Sequence, residues 1–81
     1  MYYIATFYSH FGAIRFKKEA SDGIMAPCLM PVPRRLSSSC GTCVRFEGPA
    51  DFTFTQDDSG EVEQIVRETD TGYMCIYTTQ E

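Results

Sequence analysis

The sequence predicts an α+β fold, a ferredoxin-like βαββαβ sandwich in which two helices cover one face of a four-stranded antiparallel sheet. Three observations predict it. Runs rich in aromatic and β-branched residues open and close the chain, YYIATFY at 2–8 and YMCIYTT at 73–79. Two stretches between them carry apolar residues at helical spacing, each led by a serine and followed by a glycine. Two short extended runs separate those stretches. Eighty-one residues make one domain, 1–81.

Taken in order, the first strand leads to Ser9, a residue suited to cap a helix that Gly23 stops. Ala13, Phe16 and Ala20 recur on one side of that helix with Ile14 beside them, while Arg15, Lys18 and Glu19 fall on the wet side. IMAPCLMPVP holds three prolines, which confines it to an edge strand or an extended approach. In TCVRFE, Val44 and Phe46 share one face and Cys43 and Arg45 the other. FTFT at 52–55 extends that strand or forms a short ribbon. SGEVEQIVRETD reads as the second helix: Ser59 caps it, Val62, Ile65 and Val66 make its stripe, and Gly72 ends it. Asp57 and Asp58 before it read as a solvated turn that favours its N-terminus.

The first and last strands carry bulky residues on both faces, Tyr3 and Phe7 against Ile4 and Tyr8, Tyr73 and Tyr77 against Met74 and Ile76. A sheet face away from the helices need not be apolar, so this pattern points to a covering partner, most simply a second copy in a homodimer. Scattered surface tyrosines are the alternative. A chain this size buries roughly 60 % of its unfolded surface. Six Phe and five Tyr supply the apolar area.

Net charge is −4, with seven basic residues against eleven acidic ones. That balance argues against nucleic acid as the partner. The basic residues do cluster, at Arg15, Lys17 and Lys18 and again at Arg34, Arg35 and Arg45. No run is long enough to span a membrane, and MYYIATFY has none of the features of a signal peptide. A cytoplasmic location is therefore expected, where thiols stay reduced. Four cysteines there point to catalysis, metal binding or simple packing before structural disulfides.

RRLSSSCGTCVRF, residues 34–46, concentrates the chemistry. Positive neighbours and N–H donors lower the pKa of a thiol, and it is the thiolate that reacts. Cys40 has Arg34 and Arg35 upstream, Ser37, Ser38 and Ser39 immediately before it, and Gly41 after it, where glycine permits a tight turn. Such a loop is a nest for a reactive sulfur or, equally, a serine-rich turn holding an incidental cysteine. Cys43 completes a C-x-x-C, but no helix follows it as in thioredoxin-like proteins. Fully extended, residues 40 and 43 lie about 10 Å apart at their α-carbons, beyond the roughly 7 Å limit of a disulfide. Cys43 is then either a resolving thiol reached by a turn at Gly41-Thr42 or a strand residue beside Arg45.

Cys28 and Cys75 sit in apolar runs and read as buried packing residues. A zinc site would need Cys40 and Cys43 with two more ligands from Cys28, Cys75 or His10, and one C-x-x-C with companions at unrelated spacings is a weak signal for it. His10 reads as a surface helix residue. No phosphate loop, carboxylate pair or nucleophile elbow is present.

VPRRLSSSCGTCVRF resembles the signature of the small selenium/sulfur carrier-like family, classed as a domain of unknown function. Its members run strand, helix, a P-R-x-[IL]-S-S-[ST]-C-G loop, and a short strand ending in Arg and an aromatic residue. Pro33, Arg34, Leu36, Ser37, Ser38, Ser39, Cys40, Gly41, Arg45 and Phe46 match in that order, and Ala13 and Ile14 match the helix part. The resemblance covers the first 50 residues or so; the last 25 match in pattern alone, and Cys43 replaces a small or apolar residue.

The resemblance implies a carrier rather than a turnover enzyme. Cys40 would accept sulfur or selenium as a persulfide or selenosulfide, with Arg34 and Arg35 as electrostatic support and Ser37, Ser38, Ser39, Gly41 and Arg45 around the cargo. A pyridoxal-phosphate cysteine desulfurase would be the donor, and a selenium- or sulfur-transfer enzyme the acceptor. No cofactor is expected beyond the covalently carried atom. Two other functions are open: a non-catalytic homodimeric binding module, and a thiol–disulfide redox protein using Cys40 and Cys43.

Overall fold

The computed structural model describes residues 1–20, 23–56 and 59–79. They form β1 (Tyr2–Phe7), α1 (His10–Lys18), β2 (Met25–Pro31), β3 (Thr42–Glu47), β4 (Val62–Thr69) and β5 (Gly72–Thr78). The strands make one sheet in the order β2-β3-β1-β4-β5, each neighbouring pair antiparallel. The expected ferredoxin-like sandwich of four strands and two helices is overturned. The described residues hold five strands and one helix.

The error lies at residues 59–72, where the second helix was expected and β4 stands. Val62, Ile65, Val66 and Thr69 are β-branched, a composition that favours strand over helix. The spacing that suggested a helix has another cause. Thr6 pairs with Gln64 but Phe7 with Val62, so Glu63 is an extra residue in a bulge. The bulge returns Val62 to the same sheet face as Ile65, three positions on, while Val66 points to the other face. A bulged strand thus imitates helical periodicity. Gly72 starts β5 rather than ending a helix, and Asp57 and Asp58 lie outside the described residues.

The first helix stands as read, but shorter. Ser9 is extended (φ −144°, ψ 158°) and its Oγ accepts from the Gly12 N–H at 3.1 Å. The same hydroxyl donates to the Glu61 carboxylate at 2.6 Å, which ties the helix start to the chain entering β4. Gly12 is required there, since a Cβ on it would fall 2.8 Å from that of Glu61. The helix ends at Lys18, before Gly23. Ala13 is buried and Phe16 packs on the core, but Ile14 is exposed.

α1 packs on one sheet face over Tyr3, Ala5, Phe7, Val44, Phe46, Val62 and Ile65, all buried. Burial of each of the larger aliphatic and phenylalanine side chains among them contributes roughly 1.5–3 kcal/mol. FTFT joins no strand. Phe52 sits 5.1 Å from the ring of Tyr3 and 5.2 Å from Phe46, and Phe54 sits 5.0 Å from Tyr77. This irregular segment covers sheet that a second helix was expected to cover.

The opposite face carries Ile4, Cys43 and Val66, and the chain covers part of it itself. Val32 and Leu36, from the connection between β2 and β3, pack on those three residues together with Met30 and Tyr73. No helix of the described residues is long and apolar enough to cross a membrane.

Candidate functional site

The β2–β3 connection is a ten-residue loop, Val32 to Gly41, closed where the Val32 N–H donates to the Gly41 carbonyl at 3.0 Å. Pro33 begins a turn that the Leu36 N–H closes on the Pro33 carbonyl at 3.0 Å. From there the loop is fastened to the two strands beside it. The Ser37 carbonyl accepts from the Gln64 side chain at 3.3 Å. Ser38 Oγ donates to the Phe7 carbonyl at 3.4 Å. Ser39 donates twice to the Glu63 carboxylate, through its backbone N–H at 3.1 Å and its hydroxyl at 2.8 Å.

The serines therefore anchor the loop. Only Ser38 also meets Cys40, and it does so by accepting from the Cys40 N–H at 3.4 Å rather than by touching sulfur. The Cys40 thiol donates to the Thr42 carbonyl at 3.3 Å and packs, half-buried, against the helix-side core. Gly41 has φ +78°, a left-handed conformation that lets the chain turn from Cys40 straight into β3. A Cβ there would meet nothing, so conformation alone selects glycine. Thr42 Oγ1 bonds His10 Nδ1, linking the loop's exit to the start of α1.

Cys43 is in a different environment. It lies in β3 on the face away from α1, fully buried, with its thiol donating to the Pro31 carbonyl at 3.6 Å. Burial, with smaller contributions from nearby Cys40 and Cys28, pushes its pKa from 9.0 up to about 11. All four cysteines are free thiols. Cys28 and Cys75 are exposed, against the expectation that they pack inside. They stand on the two edge strands, β2 and β5, and are left uncovered. No group of three or more Cys, His, Asp or Glu among the described residues gathers as a metal site.

A family model described as "Putative Se/S carrier protein-like" matches residues 2–78. The chain belongs to this family. Comparison with curated proteins and with solved structures gives no match. The family match runs well past the first 50 residues and takes in β4 and β5, the strands that fasten and flank the loop of this Se/S carrier-like chain.

The arginines are not gathered at the Cys40 sulfur. Arg34 and Arg35 are exposed at the loop's start, and the Arg35 guanidinium lies beside Gly72, 3.6 Å from where a Cβ would stand. Arg45 is on the face away from α1. Its guanidinium is forked onto Glu68 at 2.6 and 3.0 Å and lies 4.0 Å from the centre of the Tyr2 ring. The hydrogen bonds hold Glu68 below the usual carboxylate range and Arg45 above its own. Sequence reading missed Glu63, Gln64 and Thr42 as the loop's fastenings. Glu63 and Gln64 were hidden inside a presumed helix, and no local motif marks any of the three.

A cavity of about 290 Å³ lies between α1 and the 52–55 segment. Phe7, Phe16, Phe52, Phe54 and Val62 line it, and no cysteine does.

Proposed function

We propose that this Se/S carrier-like chain works by covalent loading of Cys40 with sulfur or selenium in the reducing cytoplasm. One observation carries the reading: Cys40 alone among the four cysteines sits on a loop, at the point where that loop is fastened on both sides. Cys28 and Cys75 stand on strands, and Cys43 is sealed in the sheet.

The step needs no outside oxidant. The Cys40 thiolate attacks the terminal sulfur of a persulfide on a donor cysteine, forming the Cys40 S–S bond as the donor's S–S bond breaks. The donor leaves as a thiolate, and the proton lost by Cys40 goes to solvent. The same exchange run onward delivers the atom: an acceptor nucleophile attacks the outer sulfur and Cys40, now the leaving group, departs as thiolate. With selenium the same exchange forms a selenosulfide. A cysteine desulfurase is the proposed donor and a sulfur- or selenium-transfer enzyme the proposed acceptor. The burial and raised pKa of Cys43 weigh against a Cys40–Cys43 exchange cycle, since a thiol must ionise to attack.

The test is incubation with a pyridoxal-phosphate cysteine desulfurase and free cysteine, followed by alkylation and intact mass. Wild type and Cys43→Ala should each gain one sulfur, and Cys40→Ser none. Failure of the wild-type protein to load, or loading that survives in Cys40→Ser, overturns the reading.

A further inference from the structure

α1 leaves two large apolar side chains in water. Phe11 is 76 % exposed and Ile14 51 %, three positions apart and so neighbours on the helix surface. Exposed apolar side chains that adjoin one another mark a binding surface.

Helix periodicity says which way this surface faces. His10, Ile14 and Lys17 follow at i, i+4 and i+7 and form one row. The row begins over β3, because His10 Nδ1 bonds Thr42 Oγ1. Arg15 and Glu19 take the opposite flank, paired at 3.3 Å, and line the cavity against the 52–55 segment. β2 supplies the other side of the strip. Its Leu29 pairs with Val44 and its Pro31 with Thr42, so both project from the sheet on the α1 side, and both are exposed.

Cys40 stands at the head of this strip. Thr42, bonded to His10 and paired with Pro31, is the residue whose carbonyl accepts from the Cys40 thiol at 3.3 Å. The far end carries charge. Lys17 and Lys18 lie three and four positions beyond Ile14 and enter no ion pair among the described residues. In a chain of net charge −4 they are a local reversal of sign.

We propose that Phe11, Ile14, Leu29 and Pro31, rimmed by Lys17 and Lys18, are the surface on which the sulfur donor docks. The donor is a persulfide-bearing protein that presents an apolar patch beside Asp and Glu side chains. The proposal rests on the reading of Cys40 as the loaded cysteine and adds what brings a donor to it. The exchange at sulfur is unchanged; docking sets the approach. Two sulfurs exchange only in contact and in line, so the donor must seat on ground continuous with Cys40. The lysines then favour an acidic partner and speed its arrival. A second copy of the chain is the wrong occupant. Two such faces together would gather the lysines of both copies and close over both Cys40 sulfurs.

The test compares two routes of loading in the same variants. A pyridoxal-phosphate cysteine desulfurase supplied with free cysteine must dock, whereas glutathione persulfide is small enough not to. Ile14→Glu and the double change Lys17→Glu/Lys18→Glu should each load at least tenfold more slowly from the desulfurase, read by intact mass against time. Both should load at the wild-type rate from glutathione persulfide. Met74→Glu, an exposed change on β5, should match wild type by either route. Added salt should slow the desulfurase route in wild type and not in the double variant. Variants that keep the wild-type desulfurase rate, that lose both routes together, or that are matched in their loss by Met74→Glu overturn the docking surface and leave Cys40 loading standing. So does a wild type loaded by glutathione persulfide and not by the desulfurase. Full desulfurase loading in variants that no longer bind phosphatidylserine vesicles assigns the strip to a lipid surface instead. A wild type that loads by neither route overturns the reading of Cys40 itself.

Discussion

The Glu63 carboxylate accepts two hydrogen bonds from Ser39, one from its backbone N–H and one from its hydroxyl, across 24 positions of sequence. Ser39 immediately precedes Cys40, and Glu63 is the extra residue of the β4 bulge. The bulge and the loop are thus one device: the residue that breaks the ladder is the one that fastens the loop.

Removing that fastening should free Cys40 more than it unfolds the protein. Because the contact is solvent-exposed, Glu63→Ala should cost about 1 kcal/mol of stability. The same change should raise amide exchange at Ser39 and Cys40 and speed Cys40 alkylation several-fold. If Cys40 alkylates at the wild-type rate in Glu63→Ala, the fastening has no hold on the thiol.

Cys43 should be the last thiol to react. With its pKa near 11, alkylation at pH 8.5 should modify Cys28, Cys40 and Cys75 well before it, as followed by peptide mass. Stability carries the same signature. The neutral thiol is the form the fold accepts, so its contribution is complete below about pH 9 and is lost as pH rises toward 11. The difference in denaturant midpoint between wild type and Cys43→Ala should therefore shrink between pH 8 and 10.5. An unchanged difference would mean that Cys43 ionises as freely as in the unfolded chain.

How far the sequence could be read follows from which signals are local. β1, the Ser9 cap and β3 are set by neighbours within a few residues, and each stands where propensity and capping put it. The Arg-Ser-Ser-Ser-Cys-Gly loop is local in the same sense. β4 is not: its three-residue spacing comes from a bulge against β1, which exists only once the sheet has formed. The reach of Ser39 to Glu63 was hidden for the same reason. Hydroxyls next to a cysteine suggest contact with sulfur, and only the tertiary fold turns Ser38 to Phe7 and Ser39 to Glu63. The exposure of Cys28 and Cys75 depends on strand order, which an apolar run does not encode.

The Arg45–Glu68 pair makes stability depend on pH in a stated direction. Hydrogen bonding by Arg45 lowers the pKa of Glu68, so the pair stabilises the fold above the unfolded glutamate value and stops doing so as pH falls through the lower folded value. Both side chains are about one-third exposed, which keeps the effect at or below about 1 kcal/mol. Glu68→Gln should be less stable than wild type at pH 7 and equal to it near pH 2, by chemical denaturation at each pH. A constant gap across that range would show that the charge of Glu68 is not what stabilises.

Thr6 lies at the centre of the sheet, fully buried, and its Oγ1 has no hydrogen-bond partner among the described residues. It pairs across the ladder with Cys43 on one side and Gln64 on the other, beneath the strands that hold the loop. An unmet buried hydroxyl loses its hydration without compensation, at a cost of about 1–3 kcal/mol. Valine has the same branched shape, keeps the strand preference and has no polar atom to satisfy. Thr6→Val should therefore raise stability by about 1 kcal/mol, seen as a higher denaturant midpoint at unchanged slope. Thr6→Ser keeps the hydroxyl and gives up a methyl, so it should lower stability. If Thr6→Val is the destabilised variant and Thr6→Ser the tolerated one, the hydroxyl has a partner in solution and that partner belongs to the ground beneath the Cys40 loop.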